Sequence, residues 1–261
     1  MPVELPGNSE RQLNPSANTM TDPTPLRADD PRALAVTIAI ETGDVASLRR
    51  LLEAQPQIVH TWIAKKDGGP RTPVFIAVDW PGHFPNVAET ITTLAAAGAD
   101  VNLHYPPHAT DPNCMETPLH QAASSNDVAA LDALLDAGAD INAAGAVFTG
   151  GGPLSDAVVF ANWAAARRLV ERGARVEWWQ AAALGLPGIM RDRWEAQPPP
   201  SRDEITRAFW HACRGGHRST AEYLLDRGAD PHWLGWDHKT PIRAADDSGN
   251  ADFIAWLHSR L

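Results

Sequence analysis

The chain of 261 residues is poor in cysteine, with only Cys114 and Cys213, far apart in sequence. Two such residues imply no disulfide framework and fit a reducing cytoplasm, the expected location. Positive charge is also short: 22 basic residues face 32 acidic ones, for a net charge of −10. Such a chain is poorly suited to nucleic-acid phosphates, which demand clustered Lys and Arg. Long apolar runs are missing; none reaches the roughly 18 residues that a membrane span needs. The first 30 residues lack the basic start and apolar core of a secretory signal. They are rich in Pro, Asn, Ser, Thr and Asp and are expected to form a disordered tail, in which Met20 offers an alternative start. No segment follows the phosphate-loop pattern GxxxxGK[ST]. No cofactor is expected.

What the chain does have is a repeat. "GAD" closes an apolar segment at Gly98, Gly138 and Gly228, and "GAR" does so at Gly173. Thr-Pro opens a segment at Thr72, Thr117 and Thr240, and "GGP" takes that place at Gly152 and Pro153. From Thr117 to Gly138, from Gly152 to Gly173 and from Arg207 to Gly228 the distance is 21 positions each time. Thr caps a helix, and Pro fits its first turn, where no backbone N–H is missed. Paired alanines follow, as in "TPLHQAA" (117–123), and let neighbouring helices approach. A second helix places Leu51, Leu134, Leu169 and Leu224 in one column and Leu52, Leu135, Val170 and Leu225 in the next. Gly then takes the left-handed conformation that stops the helix. One such helix pair cannot bury its apolar face alone; a stack of them can.

"TPLHQAA" and "HACRGGHRSTAEYLLDRGAD" (211–230) resemble the ankyrin repeat, whose period is about 33. The resemblance implies an all-α solenoid of about seven helix-turn-helix repeats with irregular fingers. It covers residues 32–261, behind the tail at 1–31. Openings fall near residues 34, 72, 117, 152, 176, 207 and 240. The first lacks Thr-Pro and reads as the amino-terminal cap, the fifth is degenerate, and "SRDE" (201–204) is a capping box before the sixth pair. The wider pattern, with its "DWPGHFPN" and "WHACRGG" segments, also resembles a group of actinobacterial ankyrin-repeat proteins, which adds architecture only.

The openings are 38, 45, 35, 24, 31 and 33 positions apart. The 45 comes from "DWPGHFPN" (79–86), between the helices of the second repeat, and from the long finger at 101–116. The 38 reflects extra residues near 61–70, and the 24 means that the finger between repeats four and five is nearly deleted. In the ankyrin arrangement, fingers and first helices line a concave groove.

Several residue groups could carry chemistry. Asp79 and His83 are candidates for an acid/base pair walled by Trp80 and Phe84; the plainer reading makes the insertion a spacer fixed by prolines and turned at Gly82. His104, His108, Asp111 and Cys114 are metal-ligand types, but they match no standard spacing, and no metal site is expected. His120 is expected to tie adjacent repeats through backbone groups rather than to catalyse. Cys213, beside His211, stands for the second repeat alanine and reads as a small buried hydrophobe. "TGGGP" (149–153) reads as a flexible finger tip.

The aromatic residues are the most suggestive. Trp179 and Trp210 occupy the place held by His120 in repeat three; Phe75 holds it in repeat two and Arg243 in repeat seven. Trp233 and Trp236 lie on the last finger. Trp178 and Trp194 read as filler around the irregular fifth repeat. With Asp156, Trp80, His83, Phe84 and His211, these residues make up the expected binding groove. Trp and Arg are frequent interface anchors. The expected function is recognition of a protein partner with basic or aromatic features by a monomeric module, with no role for nucleic acid or membrane. The alternative is an enzyme or binder of a small apolar ligand. It would use Asp79, His83 and His120 and a pocket closed by 61–70, 79–86 and 101–116.

Overall fold

A residue before proline is held extended, and the proline fixes φ for the first helical turn. Thr72, Thr117, Gly152 and Thr240 are all extended, and a helix follows each at the next residue. The computed structural model describes residues 24–65, 69–105 and 115–261. Its α-helices form seven consecutive pairs: α1 (Pro31–Thr42) with α2 (Val45–Ala54), α3 (Pro73–Ala77) with α4 (Val87–Ala96), and α5 (Pro118–Ser124) with α6 (Val128–Asp136). Then come α7 (Pro153–Val159) with α8 (Trp163–Glu171), and α9 (Trp178–Leu184) with α10 (Pro187–Glu195). The last two are α11 (Arg202–Gly215) with α12 (Arg218–Leu225), and α13 (Pro241–Ala244) with α14 (Ala251–Arg260). The first helices stack in order from α1 to α13, and α2, α4, α6 and α8 stack behind them.

Small residues set the spacing of the front layer. Ala122, Ala123, Ala157, Ala181, Ala182, Ala183 and Ala212 are completely buried. The closest approach is at Gly215, where an added Cβ would stand 2.0 Å from the Ala183 carbonyl oxygen. The back layer supplies Leu94, Leu134, Leu169 and Leu224, all fully buried, while Leu135, Val170 and Leu225 are half-buried. The first repeat departs from the expected columns: Leu52 is buried and Leu51 is half-buried. No described repeat packs on its outer side, so Leu51 lies with the exposed Ile38 on the free end of the stack. The capping box expected before the sixth pair is formed: Ser201 Oγ accepts from Glu204 N–H, and a Glu204 carboxylate oxygen accepts from Ser201 N–H at 2.8 Å.

Residues 24–30 belong to the fold rather than to a tail. Leu26 N–H donates to Trp62 O, and Ala64 N–H donates to Leu26 O, both at 2.8 Å. Ile63 also bridges Arg71 across the first finger. Residues 1–23, the rest of the expected tail, lie outside the described residues.

The insertion at 79–86 is a strap along the back rim. The His83 N–H donates to Asp127 Oδ2 at 2.6 Å, and its ring Nε2 meets Ser125 O at 3.0 Å. On the other side Asn86 Nδ2 donates to Gly43 O at 3.0 Å. The segment thus ties the inter-helix turns of repeats one and three to that of repeat two. Gly82 is buried at φ +75°, in contact with Ser125, where a side chain would be strained.

Candidate functional site

Only Arg172–Glu177 connect α8 to α9, so no finger rises between repeats four and five. The gap becomes a cleft of about 840 Å³ on the concave side. Phe148 and Thr149, from the finger between α6 and α7, and Trp236, from the finger between α12 and α13, meet to form one wall. Trp178, Trp179 and His211 form the floor, and Glu177, Arg193, Glu204 and Arg207 form the polar rim.

Local chemistry aims each half of that wall. Gly145, at φ +139°, lies against the Met115 carbonyl, where a Cβ would stand 2.2 Å from the oxygen, and the finger then turns to present Phe148. Gly235 lies flat on the Trp210 ring, where a Cβ would stand 2.4 Å away, and this close approach presents Trp236. The Phe148 and Trp236 rings stack with centroids 5.8 Å apart, although 60% of Phe148 and 51% of Trp236 remain exposed.

His211 is an uncharged plate rather than a proton carrier. Its ring lies 4.7 Å from that of Trp179 and 4.9 Å from that of Trp210, and its Nδ1 is buried without a partner. Burial, and Arg214 nearby, lower its pKa to about 3. On the rim, Ser201 N–H and Arg193 hold Glu204 at about 2. Arg193 donates to Glu204 Oε1 at 2.8 Å and to Pro198 O at 2.9 Å. Glu177 Oε2 accepts from Trp179 Nε1 at 2.7 Å and also caps α9.

Of the residues expected to form the groove, Trp179, His211 and Trp236 line the cleft. The structure also corrects several placements. Trp210 is fully buried, and its Nε1 donates to Lys239 O at 2.9 Å. His120 does the equivalent: Nδ1 accepts from Thr117 N–H, and Nε2 meets Gly151 O at 3.3 Å. In both repeats the acceptor is the residue just before the cap of the next first helix. In these two repeats the side chain therefore points under a finger, not into the groove; in the fifth repeat Gln180, not Trp179, holds the place of His120, three residues after the cap of α9. Phe75 is buried there too, against Trp62 and Tyr105. Trp80 is 80% exposed on the back rim, with His83 and the half-buried Phe84. Trp233 is half-buried and Arg243 is exposed beside Asp246; neither lines the cleft. Trp178, assigned to filling, does line it, and sequence reasoning missed Phe148, Glu177, Arg193, Glu204 and Arg207. The interval of 24 between openings is the signal that marked the place.

The suggested acid/base residues are not brought together. Asp79 pairs with Lys65 and with Arg71, at 3.7 Å from the latter. His83 is committed to the turn of the third repeat, and burial lowers the His120 pKa to about 4. Cys213 is buried, and burial pushes its thiol pKa up. His108, Asp111 and Cys114 lie outside the described residues.

Asp156 is buried on α7, and neither carboxylate oxygen has a hydrogen-bond partner. Burial, then the charge of Glu116, raises its pKa to about 8. A folded-state pKa above the unfolded value of 3.8 means that stability is lost as pH rises from about 4 through about 8. His120 and His211 act oppositely: their lowered values remove stability as pH falls from 6.5 through about 4 and about 3. Asp156→Asn is therefore expected to remove this downward contribution between about pH 4 and pH 8, so that the alkaline side of a melting-temperature profile flattens and the acid side, where the histidines act, steepens. An unchanged slope between pH 6 and pH 8 would refute this assignment.

Helix pairs stacked in two layers, with fingers along one edge, define a repeat solenoid. The repeats are ankyrin repeats: two models of that family match, one at residues 114–143 and one at 208–235, and the chain is an ankyrin-repeat protein. Over 50 residues it is 38% identical to the ankyrin repeat and KH domain-containing protein mask-1 of Caenorhabditis elegans. That match covers 19% of this chain and 2% of the relative, so the chain resembles a small part of it. The crystal structure of the human ASB11 ankyrin repeat domain aligns with a TM-score of 0.48 and 15% identity, covering 85% of this chain and 96% of that one. No helix among the described residues is long and apolar enough to cross a membrane.

Proposed function

We propose that this protein is a recognition module that seats a segment of a protein partner in the cleft lined by the Phe148–Trp236 pair, Trp178 and Trp179. Ankyrin repeats in general serve protein interaction. The observation that carries the particular reading is the stacked pair of exposed rings, which two fingers bring into contact beside the place of the deleted finger. Exposed aromatic rings beside an arginine are the usual anchors of an interface. Of the segments 61–70, 79–86 and 101–116, expected as lids, 61–65, 69–70 and 79–86 are bonded to the first three repeats, away from the cleft, and 106–114 lie outside the described residues. This favours an open groove that an extended chain can enter.

Affinity capture with wild type, Trp236→Ala and Trp80→Ala tests the reading. One stoichiometric partner is expected with wild type and with Trp80→Ala. Its affinity is expected to fall about thirtyfold with Trp236→Ala, as for an interface hot spot. Both rings are exposed, so the variants should fold. A partner held equally by all three forms would place recognition elsewhere.

A further inference from the structure

We propose that the partner segment carries an acidic side chain next to a bulky apolar one, and that Arg207 receives the carboxylate. This rests on the protein-recognition reading above and runs against the overall charge of −10, which by itself favours a basic partner.

The argument is one of commitment. Two cationic side chains line the cleft, Arg193 and Arg207, and Arg214 and Lys239 lie behind its tryptophans. Arg193 is held by Glu204 and Pro198 O. Arg214 is held by Asp247 and the carbonyls of Val158 and Val159. Lys239 is held by Asp247 and Asp237. Arg207 is exposed and has no ion pair or side-chain hydrogen bond among the described residues. The acidic groups are already satisfied. Glu204 accepts from Arg193 on one oxygen and from Ser201 on the other, and Glu177 serves Trp179 and the cap of α9. His211 is neutral. The free charged group of the cleft is therefore one guanidinium, whose planar fork suits a carboxylate.

Position agrees with chemistry. Glu204, Arg207 and His211 follow one another at three- and four-residue spacing on α11, so they share a face. Arg207 thus stands between the polar rim and the aromatic floor. A carboxylate there leaves an adjacent apolar side chain over Trp179 and beside Phe148 and Trp236.

Three blocked peptides, acetyl-Gly-Ser-Phe-X-Ser-amide with X as Asp, Asn or Lys, test this. Each is titrated into the full chain while the indole N–H signals of Trp179 and Trp236 are followed by NMR. The Asp peptide is expected to bind about fivefold tighter than the Asn peptide, the scale of one exposed ion pair. The Lys peptide is expected to bind most weakly. Arg207→Ala should erase the Asp–Asn difference, and an exposed helical site tolerates alanine. Equal binding of Asp and Asn peptides, a preference for Lys, or a difference that survives in Arg207→Ala would overturn the acidic preference while leaving the cleft in use. If no peptide moves either indole, the proposal falls, and the capture experiment alone decides the broader reading.

Discussion

Replacing Trp210 by alanine is expected to destabilise the protein by about 3–5 kcal/mol, the cost of emptying a fully buried ring site. This is a large share of the roughly 5–15 kcal/mol that holds a domain folded. The ring has no exposure, and it backs His211 and Trp236, at 4.9 and 6.4 Å between centroids. Gly235 lies on its face, and its indole N–H ties the last finger through Lys239 O. Alanine would remove the support of that finger, so the wall carrying Trp236 should loosen together with the fold. Trp210→Phe keeps most of the packing, loses one hydrogen bond, and should cost only about 1–2 kcal/mol. Urea denaturation of the two variants measures the difference. A Trp210→Ala midpoint equal to wild type would mean that the ring is a surface group after all.

The contrast between this ring and Trp236 shows what the sequence carries. Helix starts, small-residue contacts and left-handed stops are local, so most of the helix pairs are legible from Thr-Pro or a capping box, Ala-Ala and Gly, while the first and fifth repeats are placed by their spacing. The side on which a tryptophan faces is not local. Trp210 shares its register with His120, and both point beneath a finger because a carbonyl at the finger's end accepts their N–H. That acceptor belongs to the next repeat, and its position depends on finger length. The cleft is harder still to read, since Phe148 and Trp236 meet only because the finger between repeats four and five is absent. The interval of 24 recorded the deletion, but nothing local said which rings would flank it. The back-rim strap likewise depends on Gly43, Ser125 and Asp127, which belong to neighbouring repeats.

The same deletion explains a second large effect. The core divides into two clusters that meet at α9: Ala183 and Leu184 pack with the first four repeats, and Ala181 and Ala182 pack with the last three. Arg214, itself buried, spans the junction. Its guanidinium donates to Val159 O at 2.7 Å and Val158 O at 3.2 Å, at the end of α7, and its Nε donates to Asp247 at 2.8 Å, in repeat seven. It so links repeats four, six and seven past the short fifth. Arg214→Met keeps the length and apolar volume but removes the side-chain donor of the Val159 carbonyl and one of the two cations on Asp247; the Val158 carbonyl keeps Ala161 N–H, and Asp247 keeps Lys239. Because that second cation remains, the expected cost is about 3 kcal/mol, the low end for breaking a buried ion pair. In a solenoid, stability is a sum over repeats and their interfaces, so weakening one interface should also split cooperativity. Hydrogen exchange should then show α9–α14 opening at lower urea than α1–α8 in Arg214→Met, against concerted opening in wild type. Concerted opening in the variant would show that packing at Gly215 and the alanines of α9 couples the two clusters without the arginine.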